Sequence, residues 1–137
     1  MKDATQNGSD PMATVHRYID AVNRADPAGM TAECTETMQI LDGMAPHVWQ
    51  GTGASESWWC AVLHEAEHLG TGSYVITLGE PRHVDVNGLD AYVVAPATMA
   101  FIHGGRRHVQ EGATFVTALH ALDGVWRMTA WSWAKGG

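Results

Sequence analysis

Apolar side chains recur at three- and four-residue steps through Met12, Val15, Ile19 and Val22, the spacing that lines one face of a helix. Asp10 and Pro11 stand before this run as an N-cap and a first-turn proline, so an amphipathic helix is expected to run to Asn23. Asp26-Pro27 repeats the start signal and opens a short second helix through Met30 and Cys34. Thr37 to Leu41 is β-prone and predicts a strand that ends at Asp42. Gly43 to Gly51, with Pro46, His47 and Trp49, reads as a loop. Thr52 to Leu69 reads as a third helix, stopped by Gly70.

From Ser73 onward the period changes to two. Turn signals at Asn87-Gly88, Gly104-Gly105 and Asp123-Gly124 divide the rest into four strands, about Ser73–Val86, Leu89–His103, Arg106–Leu122 and Val125–Ala134. Consecutive hairpins make an antiparallel meander. Pro81 and Pro96 fall inside strands, where a missing N–H is tolerated at an edge or a bulge, so each is expected to mark a bend. The pattern predicts an α+β fold in the order α-α-β-α-β-β-β-β, three helices covering one concave face of a curved sheet. A single domain over residues 11–137 is expected, preceded by a loose segment, Met1 to Asp10.

The 137 residues are 45% hydrophobic and 17% charged, enough for one sizeable core and too few for two ordinary domains. No window approaches the roughly 18 apolar residues of a membrane span, and the first ten residues lack the pattern of a secretory signal, so a cytoplasmic location is expected. Eight basic against fifteen acidic residues give a net charge of −7. That balance argues against nucleic acid or an anionic membrane as partner. Cys34 and Cys60 have no framework spacing and read as reduced, buried thiols. By period two, Trp126 should face one side of the last strand and Trp131 and Trp133 the other.

The order of elements resembles the cone-shaped fold shared by nuclear transport factor 2 (NTF2), ketosteroid isomerase and the SnoaL-like polyketide cyclases. The likeness spans Met12 to Lys135 and is most specific at Arg17-Tyr18-Ile19-Asp20-Ala21-Val22-Asn23-Arg24-Ala25-Asp26 with Gly29-Met30, which is similar to the first helices of ketosteroid isomerases. The ending Asp123 to Trp131 is common to the wider superfamily. In those isomerases an aspartate base moves a proton while a tyrosine and a protonated aspartic acid stabilise the oxyanion, with no cofactor. The resemblance implies that Asp42 is the base and Tyr18 the donor to the enolate oxygen. It puts Thr114 where the second acid stands and Trp59 where a supporting tyrosine stands, and it gives an apolar lining of Met99, Phe101 and Val116. His47 and Trp49 would lie in the loop that caps the pocket mouth. The implied partners are a small hydrophobic molecule and a second copy, joined through the outer sheet face.

The residues alone leave alternatives open. Tyr18 also reads as a core tyrosine with a satisfied hydroxyl, and Asp42 as a turn aspartate before Gly43. A pocket used for binding without turnover is a further possibility. His64-Glu65-Ala66-Glu67-His68 fits the H-E-x-x-H pattern of zinc proteases. It lacks the later glycine and any nearby third ligand, so no metal site is assigned and a zinc hydrolase on His64, Glu65 and His68 ranks last.

Overall fold

The computed structural model describes residues 10–136. The expected loose segment Met1 to Asp10 lies, up to Ser9, outside the described residues. Asp10 caps α1 (Pro11–Asn23), its side chain accepting the Met12 N–H at 2.9 Å. Asp26 does the same for α2 (Pro27–Ala32) through the Gly29 N–H at 3.0 Å. Both caps satisfy N–H groups that the first turn of a helix cannot pair internally. β1 (Cys34–Leu41), β2 (Val48–Thr52) and α3 (Ala54–Leu69) follow, then β3 (Thr71–Leu78), β4 (His83–Asn87), β5 (Asp90–His103), β6 (Arg106–Leu122) and β7 (Val125–Ala134).

The strands form one sheet in the order β2-β1-β7-β6-β5-β3, with β4 also paired to β5; β1 lies parallel to β7 and the other pairs are antiparallel. Two details refine the sequence pattern. The end of the expected loop, Val48 onward, pairs with β1 as β2. The expected strand Ser73–Val86 is two strands, β3 and β4, broken around Pro81. Pro96 sits on β5 where its partner changes from β4 to β3: pairing with β4 ends at Val94, and pairing with β3 starts at Ala97. A residue without an N–H costs nothing in that gap.

The three helices lie on the concave face. Val15, Met30, Ile40, Leu119, Trp126 and Met128 are all buried between helices and sheet. The far end of α1 is fixed to the β3 edge by Asn23, whose amide donates to the Ile76 carbonyl at 2.9 Å and accepts its N–H at 2.8 Å, replacing a neighbouring strand. Among the described residues no helix is long and apolar enough to cross a membrane.

Two bulges decide which residues face the helices. On β6, Ala113 pairs with Ala97 but Gln110 pairs with Met99, so Glu111 and Gly112 together oppose one residue; Gly112 takes φ +84°. On β7, Ala130 pairs with Ala118 but Met128 with Leu119, leaving Thr129 extra. Each extra residue reverses the inside–outside alternation beyond it. Trp126, Trp131 and Trp133 therefore all pack on the inner face. The expectation that Trp126 faces away from the other two is corrected by the bulge at Thr129.

Candidate functional site

Between the helices and the sheet lies an open cavity of about 630 Å³, within the range of small-molecule sites. α1 contributes Tyr18, Ile19 and Val22. α3 contributes Trp58, Trp59, Val62, Glu65 and Leu69, while the strands supply Met99, Ala113, Phe115, Trp131 and Trp133. Asp42 and Gly43, just past β1, form part of the same wall.

Asp42 directly follows β1, with its carboxylate held at both oxygens. The Trp58 indole N–H donates to Oδ2 at 2.9 Å, and the Gly43 N–H donates to Oδ1 at 2.7 Å. The loop after it is folded back on the Asp42 backbone: its N–H donates to the His47 carbonyl at 3.0 Å, and His47 Nδ1 lies 3.0 Å from the Asp42 carbonyl. Each carboxylate oxygen can accept more than one hydrogen bond. Acceptor capacity thus remains on a fixed anion in a mostly apolar wall.

Tyr18 is only 1% exposed, at the base of the cavity. Trp131 Nε1 donates to its oxygen at 2.8 Å, and Ser55 Oγ lies 3.0 Å away. Ser55 is in turn 3.7 Å from the Cys34 sulfur, and the Cys34 thiol donates to the Met30 carbonyl at 3.2 Å. One orientation satisfies every group: Trp131 to Tyr18, Tyr18 to Ser55, Ser55 to Cys34, Cys34 to the Met30 carbonyl. Burial pushes the Tyr18 phenol well above its usual range, reinforced by Cys34, while the hydrogen bonds shared with Ser55 and Trp131 work in the opposite sense. Burial pushes the Cys34 thiol up to about 11, with the Ser55 hydrogen bond opposing.

No protein-family model and no curated protein matches the chain. Solved structures do. An NTF2-like protein with a cystatin-like fold from Novosphingobium aromaticivorans is 17% identical, with a TM-score of 0.72 over 90% of this chain and 77% of its own. A ketosteroid isomerase-like protein from Erwinia carotovora atroseptica is 17% identical, with a TM-score of 0.71 over 90% of this chain and 92% of its own. A hexachlorocyclohexane dehydrochlorinase from Novosphingobium barchaimii is 9% identical, with a TM-score of 0.71 over 89% of this chain and 84% of its own.

The chain has the NTF2-like fold. Of the residues singled out from the sequence, the NTF2-like cone brings Asp42, Tyr18, Trp59 and Met99 onto one cavity. The other five lie elsewhere. Thr114 and Val116 face the outer side, because the bulge at Glu111–Gly112 turns Ala113 and Phe115 inward instead. Phe101 stacks on the His108 ring, 5.4 Å between centroids, beyond the cavity. Trp49 is buried opposite Ile40 in the core, and His47 is exposed with its ring turned onto the Asp42 backbone.

His64 and His68 are exposed on α3, whereas Glu65 between them is half-buried and lines the cavity. Among the described residues no group of three or more His, Cys, Asp or Glu is placed to hold a metal ion, so the H-E-x-x-H pattern lacks its third ligand. Cys60, expected to be buried, is exposed. Sequence reasoning missed Trp58 as a site residue and weighed Glu65 only as the glutamate of the H-E-x-x-H pattern, not as part of the cavity wall. Their signal is the stripe Trp58, Val62, Glu65 and Leu69, spaced i, i+4, i+7 and i+11 on α3.

Proposed function

We propose that the cavity takes up a small, largely apolar molecule and that Asp42 removes a proton from it next to a carbonyl, without a cofactor, in isomerase-like or cyclase-like chemistry. The observation that carries this reading is the Asp42 carboxylate, fixed by Trp58 and Gly43 in the wall of an otherwise aromatic and aliphatic chamber. A base must be aimed before its basicity matters. The two N–H donors fix the carboxylate plane, and the apolar walls exclude competing water from a bound ligand. A ketosteroid isomerase-like protein and a dehydrochlorinase among the structural neighbours support the reading at the level of the scaffold.

The resemblance assigned Tyr18 the oxyanion. In the orientation above its proton is engaged by Ser55, so it reaches a ligand oxygen only if the Ser55 hydroxyl turns around. That engaged hydroxyl favours a second reading, ligand binding without turnover. The two readings separate in one assay: cyclic and aryl ketones are mixed with the protein in D₂O, binding is followed by tryptophan fluorescence and exchange of the α-protons by NMR. Exchange in the ketones that bind is the expected result. Binding throughout the panel with no exchange leaves the carrier reading.

We also infer that two copies pair through the outer face of the sheet, where Tyr92 is exposed and Val94 and Val116 are half-buried. Sedimentation should show a dimer that Tyr92→Glu converts to monomer; a monomeric unmodified protein contradicts this.

A further inference from the structure

We propose that the ligand of this cavity carries a protonated amine that docks on Glu65, at a distance from Asp42; the inference rests on the reading that the cavity holds a small apolar molecule. The charged residues in its lining are three carboxylates, Asp42, Glu65 and Glu111, and one ammonium, Lys135. The Lys135 stem lies directly on Gly43, leaving no room for a Cβ there. Lys135 makes no ion pair with Glu65 among the described residues. Glu65 makes no ion pair or side-chain hydrogen bond among the described residues, although it is half-buried in the apolar stripe between Val62 and Leu69.

A carboxylate in an apolar cavity wall with no partner among the described residues offers its charge to a cationic group carried by a ligand. Seven residues separate Glu65 from Trp58, the residue that holds Asp42, which is roughly 10 Å along the axis of α3. A ligand long enough to place a C–H at Asp42 can therefore reach Glu65 with its other end. The walls between them fit the same chemistry, since Trp58, Trp59, Trp131 and Trp133 all line the cavity and the faces of indole rings attract cations. A ligand carboxylate at that end would meet repulsion instead.

The test uses three probes with one hydrophobic body, 4-phenylbutylamine, 4-phenylbutanol and 4-phenylbutanoate, titrated at neutral pH against the tryptophan fluorescence of the full chain and of Glu65→Gln. The amine is expected to bind about tenfold tighter than the alcohol and the carboxylate to bind weakest. Glu65→Gln should bring the amine to within about threefold of the alcohol and leave the alcohol unchanged. Equal binding of amine and alcohol to the unmodified protein, or a preference for the amine that survives Glu65→Gln, overturns the proposal while the cavity reading stands. Failure of all three probes to bind overturns both.

Discussion

Trp58 and Asp42 are joined by a 2.9 Å hydrogen bond from the indole nitrogen to carboxylate Oδ2, which ties the second turn of α3 to the end of β1 at the cavity wall. Trp58 also packs edge-on against Trp131, 4.9 Å between ring centroids at 89°, and Trp131 in turn donates to Tyr18. Asp42 and Tyr18 are thus the two ends of one rigid aromatic wall.

Replacing Trp58 by Phe keeps a ring in that wall and removes the donor. The substitution should cost about 1–2 kcal/mol in a urea melt and slow proton exchange about tenfold, with ligand affinity little changed, because it frees the carboxylate plane rather than emptying the pocket. An unchanged turnover rate would reduce Trp58 to packing.

Tyr18→Phe leaves the indole N–H of Trp131, itself only 5% exposed, without an acceptor. The expected stability loss is about 1–3 kcal/mol, read from the denaturation midpoint. In the orientation that directs the Tyr18 proton at Ser55, exchange should stay within about threefold of the unmodified rate. A fall of about 10²–10³ would make Tyr18 the oxyanion donor after all.

The two thiols should separate cleanly. Exposed Cys60 should react with a disulfide reagent at once, and Cys34 only slowly, since burial raises its thiol from the ordinary 9.0 to about 11. Between those values the unfolded chain has released the Cys34 proton and the folded protein has not, so folding stability is full below pH 9 and declines as pH rises toward 11. The raised Tyr18 phenol acts in the same sense above its ordinary value. Urea midpoints of the reduced protein at pH 8 and pH 10.5 should show that decline, and Cys34→Ala should make it shallower. Equal midpoints at both pH values would contradict the burial of these groups.

Gly112 occupies a left-handed conformation, φ +84°, that a branched side chain enters only under strain. Gly112→Val should lower stability by about 1–3 kcal/mol in chemical denaturation. A neutral outcome would mean that the bulge tolerates other geometries and does not fix the face of β6.

That bulge also shows where sequence stops specifying the site. Local signals were readable because they act locally: Asp10-Pro11 and Asp26-Pro27 start helices with their own side chains, Gly104-Gly105 and Asp123-Gly124 form two-residue hairpin loops, and the Asn87-Gly88 signal falls one residue before the loop Gly88-Leu89. Alternation along β6 was readable only as far as Gly112. A glycine inside a strand is a bulge signal, and heeding it would have placed Ala113 and Phe115 inside instead of Thr114 and Val116. Thr129 carries no such mark, so the common inward face of Trp126 and Trp131 could not be read from period two. The Trp58–Asp42 bond joins α3 to the end of β1, and nothing in either segment announces the other.

The most direct measurement of the proposed chemistry is deuterium uptake from solvent into a bound ketone, compared between the unmodified protein and Asp42→Asn. The amide keeps the shape of the side chain and loses its basicity. Uptake should fall by at least about 10²-fold while the ligand dissociation constant changes little. Uptake at the unmodified rate would show that Asp42 is not the base.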